Sequence, residues 1–154
     1  MFVVALVLGT AAIRSLLLIV TAFTIGHSVT LAIAWQGGIS LPGYWVEAGI
    51  ALSIVYVSVE NIIAEQPVWR SMLALLFGLL HGLGFYSVLS RLSLDQSLLT
   101  LFGFNLGVEL GQLAIVLVLL PVAILLRKHR ALMFMSNSLI AAMGLYWLWT
   151  RLLG

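Results

Sequence analysis

Five runs of about 20 predominantly apolar residues, roughly 15–35, 44–64, 70–90, 98–126 and 131–152, are separated only by short polar breaks. Each is long enough to cross a hydrocarbon core of about 30 Å as a helix. With 63% hydrophobic and 8% charged residues, the chain lies outside the range of soluble domains, which are about 45–50% apolar. The expected fold class is all-α: a polytopic transmembrane helix bundle, a single membrane domain over 1–154 with five full spans. Residues 1–12 add a partial N-terminal helix of about half a span. It lacks the basic flank of a signal peptide and reads as the tail of a helix begun earlier. With no separate soluble domain, function has to reside within the bilayer.

The charge pattern narrows the class further. A net charge of +2 and a pI near 9.4 would suit nucleic acid, but the few Lys and Arg flank the spans and form no aromatic-interleaved basic surface, so nucleic acid is excluded as a partner. Arg14, Arg70, Arg127, Lys128 and Arg130 fall on one side and Arg91 and Arg151 on the other. The positive-inside rule then puts the 127–130 loop in the cytoplasm and the C-terminus outside it. Trp35, Tyr44, Trp45, Trp147 and Trp149 sit at the outer interface and Trp69 at the inner, as an aromatic belt requires. There is no cysteine, so any metal site must use imidazole, carboxylate, amide or water.

Against this background, ionisable residues inside the spans stand out. Glu109 lies in an apolar run from Leu98 to Leu126, with Asn105 four residues before it and Gln112 three after, a spacing that stacks them along one side of a helix. A carboxylate there costs roughly 2.5–3.5 kcal/mol on insertion scales and needs partners. His27 and His81 also lie mid-span, and a count at 1.5 Å per residue brings all three within about two turns of one depth. Two imidazoles and a carboxylate form a normal shell for Zn²⁺ or Ni²⁺, with Asn105, Gln112 or Glu60 as partners that orient the ligands. The plainer reading is that each is a satisfied polar residue joining helices.

Glu47 and Glu60 lie at opposite ends of the second span, about 20 Å apart, and cannot share one site. Glu47 also reads as an acid favoured by a helix N-terminus, and Glu60-Asn61 as a costly polar pair near the cytoplasmic end. Around His81, Gly78, Gly82 and Gly84 allow a neighbouring backbone to approach. Gly103, Gly107 and Gly111 form a GxxxGxxxG ridge beside the Asn-Glu-Gln stripe, read as a packing surface and as a place where a homo-oligomer forms. The last span has few polar residues and reads as scaffold.

Four stretches, FTIGHSVTL (23–31), VEAGIALSIVYVSVEN (46–61), FGLLHGLGF (77–85) and FNLGVELGQL (104–113), together resemble the HupE/UreJ family of hydrogenase and urease accessory membrane proteins. The resemblance implies a bacterial inner-membrane location and the handling of nickel, or a similar divalent metal, by membrane histidines and acids. It carries candidate ligand roles to His27, His81 and Glu109, with Glu47, Glu60, Asn61 and Asn105 as matching polar positions. The Gly-x-Asp-His element of the family's first helix has no counterpart here. The functional expectation is a protein that binds and transports a divalent transition metal, nickel first and zinc or cobalt as alternatives, rather than an enzyme. The rival readings are an intramembrane metal-dependent hydrolase, although neither HExxH nor GxSxG occurs, and a non-catalytic assembly factor.

Overall fold

A computed structural model describes residues 1–10, 12–37, 39, 41–63, 69–91 and 97–153. Among them run six helices, α1 (Phe2–Gly9), α2 (Ile13–Trp35), α3 (Gly43–Ile63), α4 (Arg70–Arg91), α5 (Leu98–Leu126) and α6 (Arg130–Leu153). The last five are long and apolar enough to cross a membrane. Their described ends fall within two residues of the expected ones, because polar breaks delimit each apolar run. Glu65-Gln66-Pro67, expected to end α3, and positions 92–96 of the expected loop lie outside the described residues.

Two helix pairs make the frame, α2 with α4 and α3 with α6. The first is a crossing of glycines. A Cβ at Gly78 would strike the Phe23 carbonyl, one at Gly82 the His27 carbonyl and Thr30 hydroxyl, and one at Gly26 the Leu75 carbonyl. Small residues replace the missing hydrophobic drive between helices in lipid by letting backbones touch. Thr30 Oγ1 adds a bond across the crossing, donating to the Leu79 carbonyl at 2.6 Å. In the α3–α6 pair, a Cβ at Gly144 would lie 2.8 Å from Val55 and 3.3 Å from the Ala51 carbonyl.

The α5 ridge does not pack as expected. A Cβ at Gly103, Gly107 or Gly111 would meet nothing within 4 Å, because α5 turns Leu101, Gln112, Val116 and Ala123 inward and leaves its glycines on the opposite, exposed side. Close packing belongs instead to the glycines around His81.

The partial helix α1 is buried among α5, α3 and their neighbours, with Ala5, Leu6, Val7 and Leu8 all inaccessible. Its end shows why it stops. The last carbonyls of a helix have no partner within it, and in a bilayer they must find one. Arg127 donates from Nε to the Leu8 carbonyl at 3.2 Å and from Nη2 to the Val7 and Thr10 carbonyls. Arg70 Nη1 donates to the Gly9 carbonyl at 2.9 Å, and its Nη2 to Asn61 Oδ1. Asn61 Nδ2 donates at 2.8 Å to the Ala5 carbonyl and at 2.8 Å to Asn137 Oδ1, tying α6 into the same knot. Glu60 Oε2 lies 3.5 Å from Arg70 Nε. Arg70 and Arg127, expected as membrane-flanking cations, are therefore structural caps, and Arg70 is only 5% exposed.

Removing this cap takes a donor from the Leu8 and Thr10 carbonyls, while Val7 keeps the Thr10 N–H at 3.4 Å, at about 1–3 kcal/mol for each acceptor left without one. Arg127→Gln should lower stability by about 3 kcal/mol or more. The half-exposed Arg151, 2.8 Å from Glu47, should cost about 0.2–1 kcal/mol when replaced by Gln. Thermal unfolding in detergent checks the contrast, and equal shifts would remove the capping role.

Candidate metal centre

The α2–α4 crossing sets both histidines. Close backbone contact at Gly78 and Gly82 brings the two helices together on either side of Phe23, whose ring centroid is 5.4 Å from that of His27 and 5.0 Å from that of His81. Both imidazoles thus pack against one aromatic ring. Phe85 closes the far side of His27 at 5.3 Å, and Phe2 of α1 lies 4.8 Å from His81. The half-helix α1 thereby forms the floor of an aromatic chamber.

The two rings differ in how they are held. His81 is 8% exposed, and its Nδ1 lies 2.7 Å from the Phe77 carbonyl one turn earlier. A carbonyl only accepts, so Nδ1 carries the proton and Nε2 presents a lone pair, the arrangement in which a backbone carbonyl orients a ligand histidine. His27 is 0% exposed. The Phe23 carbonyl is near its ring, but neither ring nitrogen makes a hydrogen bond of normal geometry. Buried polar atoms are nearly always partnered, and one left alone costs about 1–3 kcal/mol.

A partly open cavity of about 410 Å³ borders the chamber, lined by His81, Phe23 and Phe85 on one side and by Val108, Gly111 and Gln112 of α5 on another. Two polar rungs join α5 to the helix that carries His27. Thr24 Oγ1 donates to Gln112 Oε1 at 3.2 Å, and Ser28 Oγ donates to Asn105 Oδ1 at 3.1 Å. The rungs bracket Glu109 on α5 and span the level of His27 on α2, so these two expected ligands lie level with each other. Their directions differ. Glu109 is exposed beside the seam that Asn105 and Gln112 form with α2, and no three His, Asp or Glu side chains among the described residues are grouped to hold a metal. The expected three-way convergence is therefore not formed within one copy.

Of the other candidates, Gln112 lines the cavity and the rest lie away from it. Glu47 pairs with Arg151, and Glu60 and Asn61 belong to the knot beneath α1. Asn105 and Gln112 act as bridges to α2. Sequence reasoning missed the aromatic walls, Phe2, Phe23 and Phe85, because phenylalanine in an apolar run carries no signal of its own. It also missed the Phe77 carbonyl, although the i,i+4 spacing to His81 was available.

A scan against protein families matches the chain to "HupE / UreJ protein" over residues 1–151. Searches of curated proteins and of solved structures returned no match.

Proposed function

The chain belongs to the HupE/UreJ family, and from that premise we propose that it binds a divalent transition metal at His27 and His81 and passes it across the membrane, with nickel as the first candidate cargo. One observation carries the reading: two buried imidazoles pack against the same Phe23 ring, and three of their four ring nitrogens have no hydrogen-bond partner among the described residues. In an aromatic chamber each ring's one free lone pair is costly unless something accepts it. Neutral imidazole suits Ni²⁺, Zn²⁺ and Co²⁺, while a chamber without thiolate disfavours the softest ions. The proton on His81 Nδ1 stays with the Phe77 carbonyl, leaving Nε2 to meet the ion. Thr24, Ser28, Asn105 and Gln112 fix the helix that carries His27 against α5.

The experiment is uptake of Ni²⁺ into proteoliposomes. Wild-type protein should accumulate the ion, and His27→Ala and His81→Ala should each fall to the level of empty vesicles while remaining folded. Uptake by either variant at the wild-type rate would remove the histidines from the path. The reading includes an orientation with the 127–130 loop in the cytoplasm. A C-terminal reporter active only in the cytoplasm should stay silent, and a bright signal would invert the direction of transport.

A further inference from the structure

We propose that the seam between α2 and α5 binds a monovalent alkali cation, with Glu109 supplying the charge and Thr24, Ser28, Asn105 and Gln112 supplying neutral oxygens. The site goes beyond the metal reading above and does not rest on it. Two rungs cross the seam in the middle of both helices, from Ser28 Oγ to Asn105 Oδ1 at 3.1 Å and from Thr24 Oγ1 to Gln112 Oε1 at 3.2 Å. Four residues separate the rungs on α2 and seven on α5, or about 6 Å and about 10 Å along the two axes at the rise of a helix. Glu109 lies in the wider gap. At 3.6 residues per turn it is rotated by about 40° from Asn105 and about 60° from Gln112, which puts its Cβ about 5–6 Å from each of theirs. The carboxylate stands within a side chain's length of both amide oxygens.

The rungs also orient those oxygens. Asn105 Nδ2 donates to the Leu101 carbonyl at 3.3 Å, which turns Oδ1 toward Ser28. Each hydroxyl gives its one proton to an amide oxygen, so the hydroxyl lone pairs and a second lone pair on each amide oxygen are left to accept. Acceptors therefore gather beside a carboxylate. Glu109 is exposed in the middle of an apolar span, where a charge without a partner is costly, and lipid headgroups do not reach that depth. One positive charge cancels one carboxylate, whereas a divalent ion leaves a surplus charge facing hydrocarbon. Oxygen donors without imidazole or thiolate suit a hard cation. A bound proton would neutralise Glu109 but would use only one of the five side chains. Gln112 also lines the histidine cavity, so the two sites adjoin.

Carbodiimide labelling reads the seam directly. A lipid-soluble carbodiimide adds to a membrane carboxyl only in its protonated form and rearranges to a stable N-acylurea, so a bound cation that keeps the carboxylate ionised slows the reaction by mass action. Purified protein in proteoliposomes is labelled at one mildly acidic pH, in saturating NaCl or in choline chloride of equal ionic strength, and the modified residue is identified by mass spectrometry. Sodium should slow modification of Glu109 at least about tenfold relative to choline. Ser28→Ala and Asn105→Leu, which each remove one oxygen, should need at least about tenfold more sodium for the same protection. The wild-type comparison stands whether or not either variant folds. Equal modification in the two salts would overturn the cation, leaving a proton to neutralise Glu109. Failure to modify Glu109 in either salt would overturn the site as well, because its carboxyl would then not open to the bilayer. Protection unchanged in both variants would remove the neutral oxygens from it.

Discussion

Gly78→Leu should prevent the bundle from folding, whereas Gly107→Leu should leave the isolated bundle's stability almost unchanged. At Gly78 the added atoms would strike the Phe23 carbonyl on a facing backbone, and no side-chain rotation relieves a clash with a main chain. Overpacking alone typically costs 1–3 kcal/mol, and here it would also separate the helices joined by the Thr30 to Leu79 bond. A loss of about 4 kcal/mol or more is expected, enough to lower the yield of folded protein sharply. At Gly107 nothing lies within 4 Å, so a leucine projects from the bundle and acts only on whatever docks there. Size-exclusion profiles and thermal unfolding in detergent read the difference directly. If both variants unfold alike, the α2–α4 crossing does not hold the bundle together.

That pair of outcomes reverses what the sequence pattern alone favours, and the reason is physical. Glycine spacing tells where a backbone is able to approach, but not which helix face is turned inward. The repeat at 103, 107 and 111 is more regular than that at 78 and 82, yet α5 is apolar on nearly every side, so periodicity gives no preferred face. The same limit explains Glu109. The two rungs put Glu109 level with His27 along the bundle, a height that the fixed rise of a helix makes countable. The direction of its side chain was lost, because Asn105 and Gln112 rather than Glu109 take the seam with α2. Span boundaries were legible, since polar breaks have to lie at the interfaces. The capping role of Arg70 and Arg127 was not. Cations beside a span read as interface residues, and only the position of α1 shows that their targets are carbonyls within the bundle.

The second large effect concerns the histidines. His81→Ala should lower the affinity of the purified protein for Ni²⁺ by more than about 100-fold, since loss of a group that merely orients a ligand already costs 10–100-fold. His27→Ala should do the same, and His27→Phe, which keeps the buried ring and removes its unpartnered nitrogens, should lose the ion equally without losing stability. That combination separates a ligand from a helix-joining residue, whose removal destabilises. Asn105→Ala, which breaks the Ser28 rung, should stay within the 10–100-fold range.

The measurement closest to the central claim is X-ray absorption at the nickel edge of protein loaded with one equivalent of Ni²⁺ in detergent. Two imidazole nitrogens at about 2.0–2.1 Å are expected, falling to one in either His27→Ala or His81→Ala. A wild-type spectrum with only oxygen neighbours, unchanged in both variants, would contradict the account.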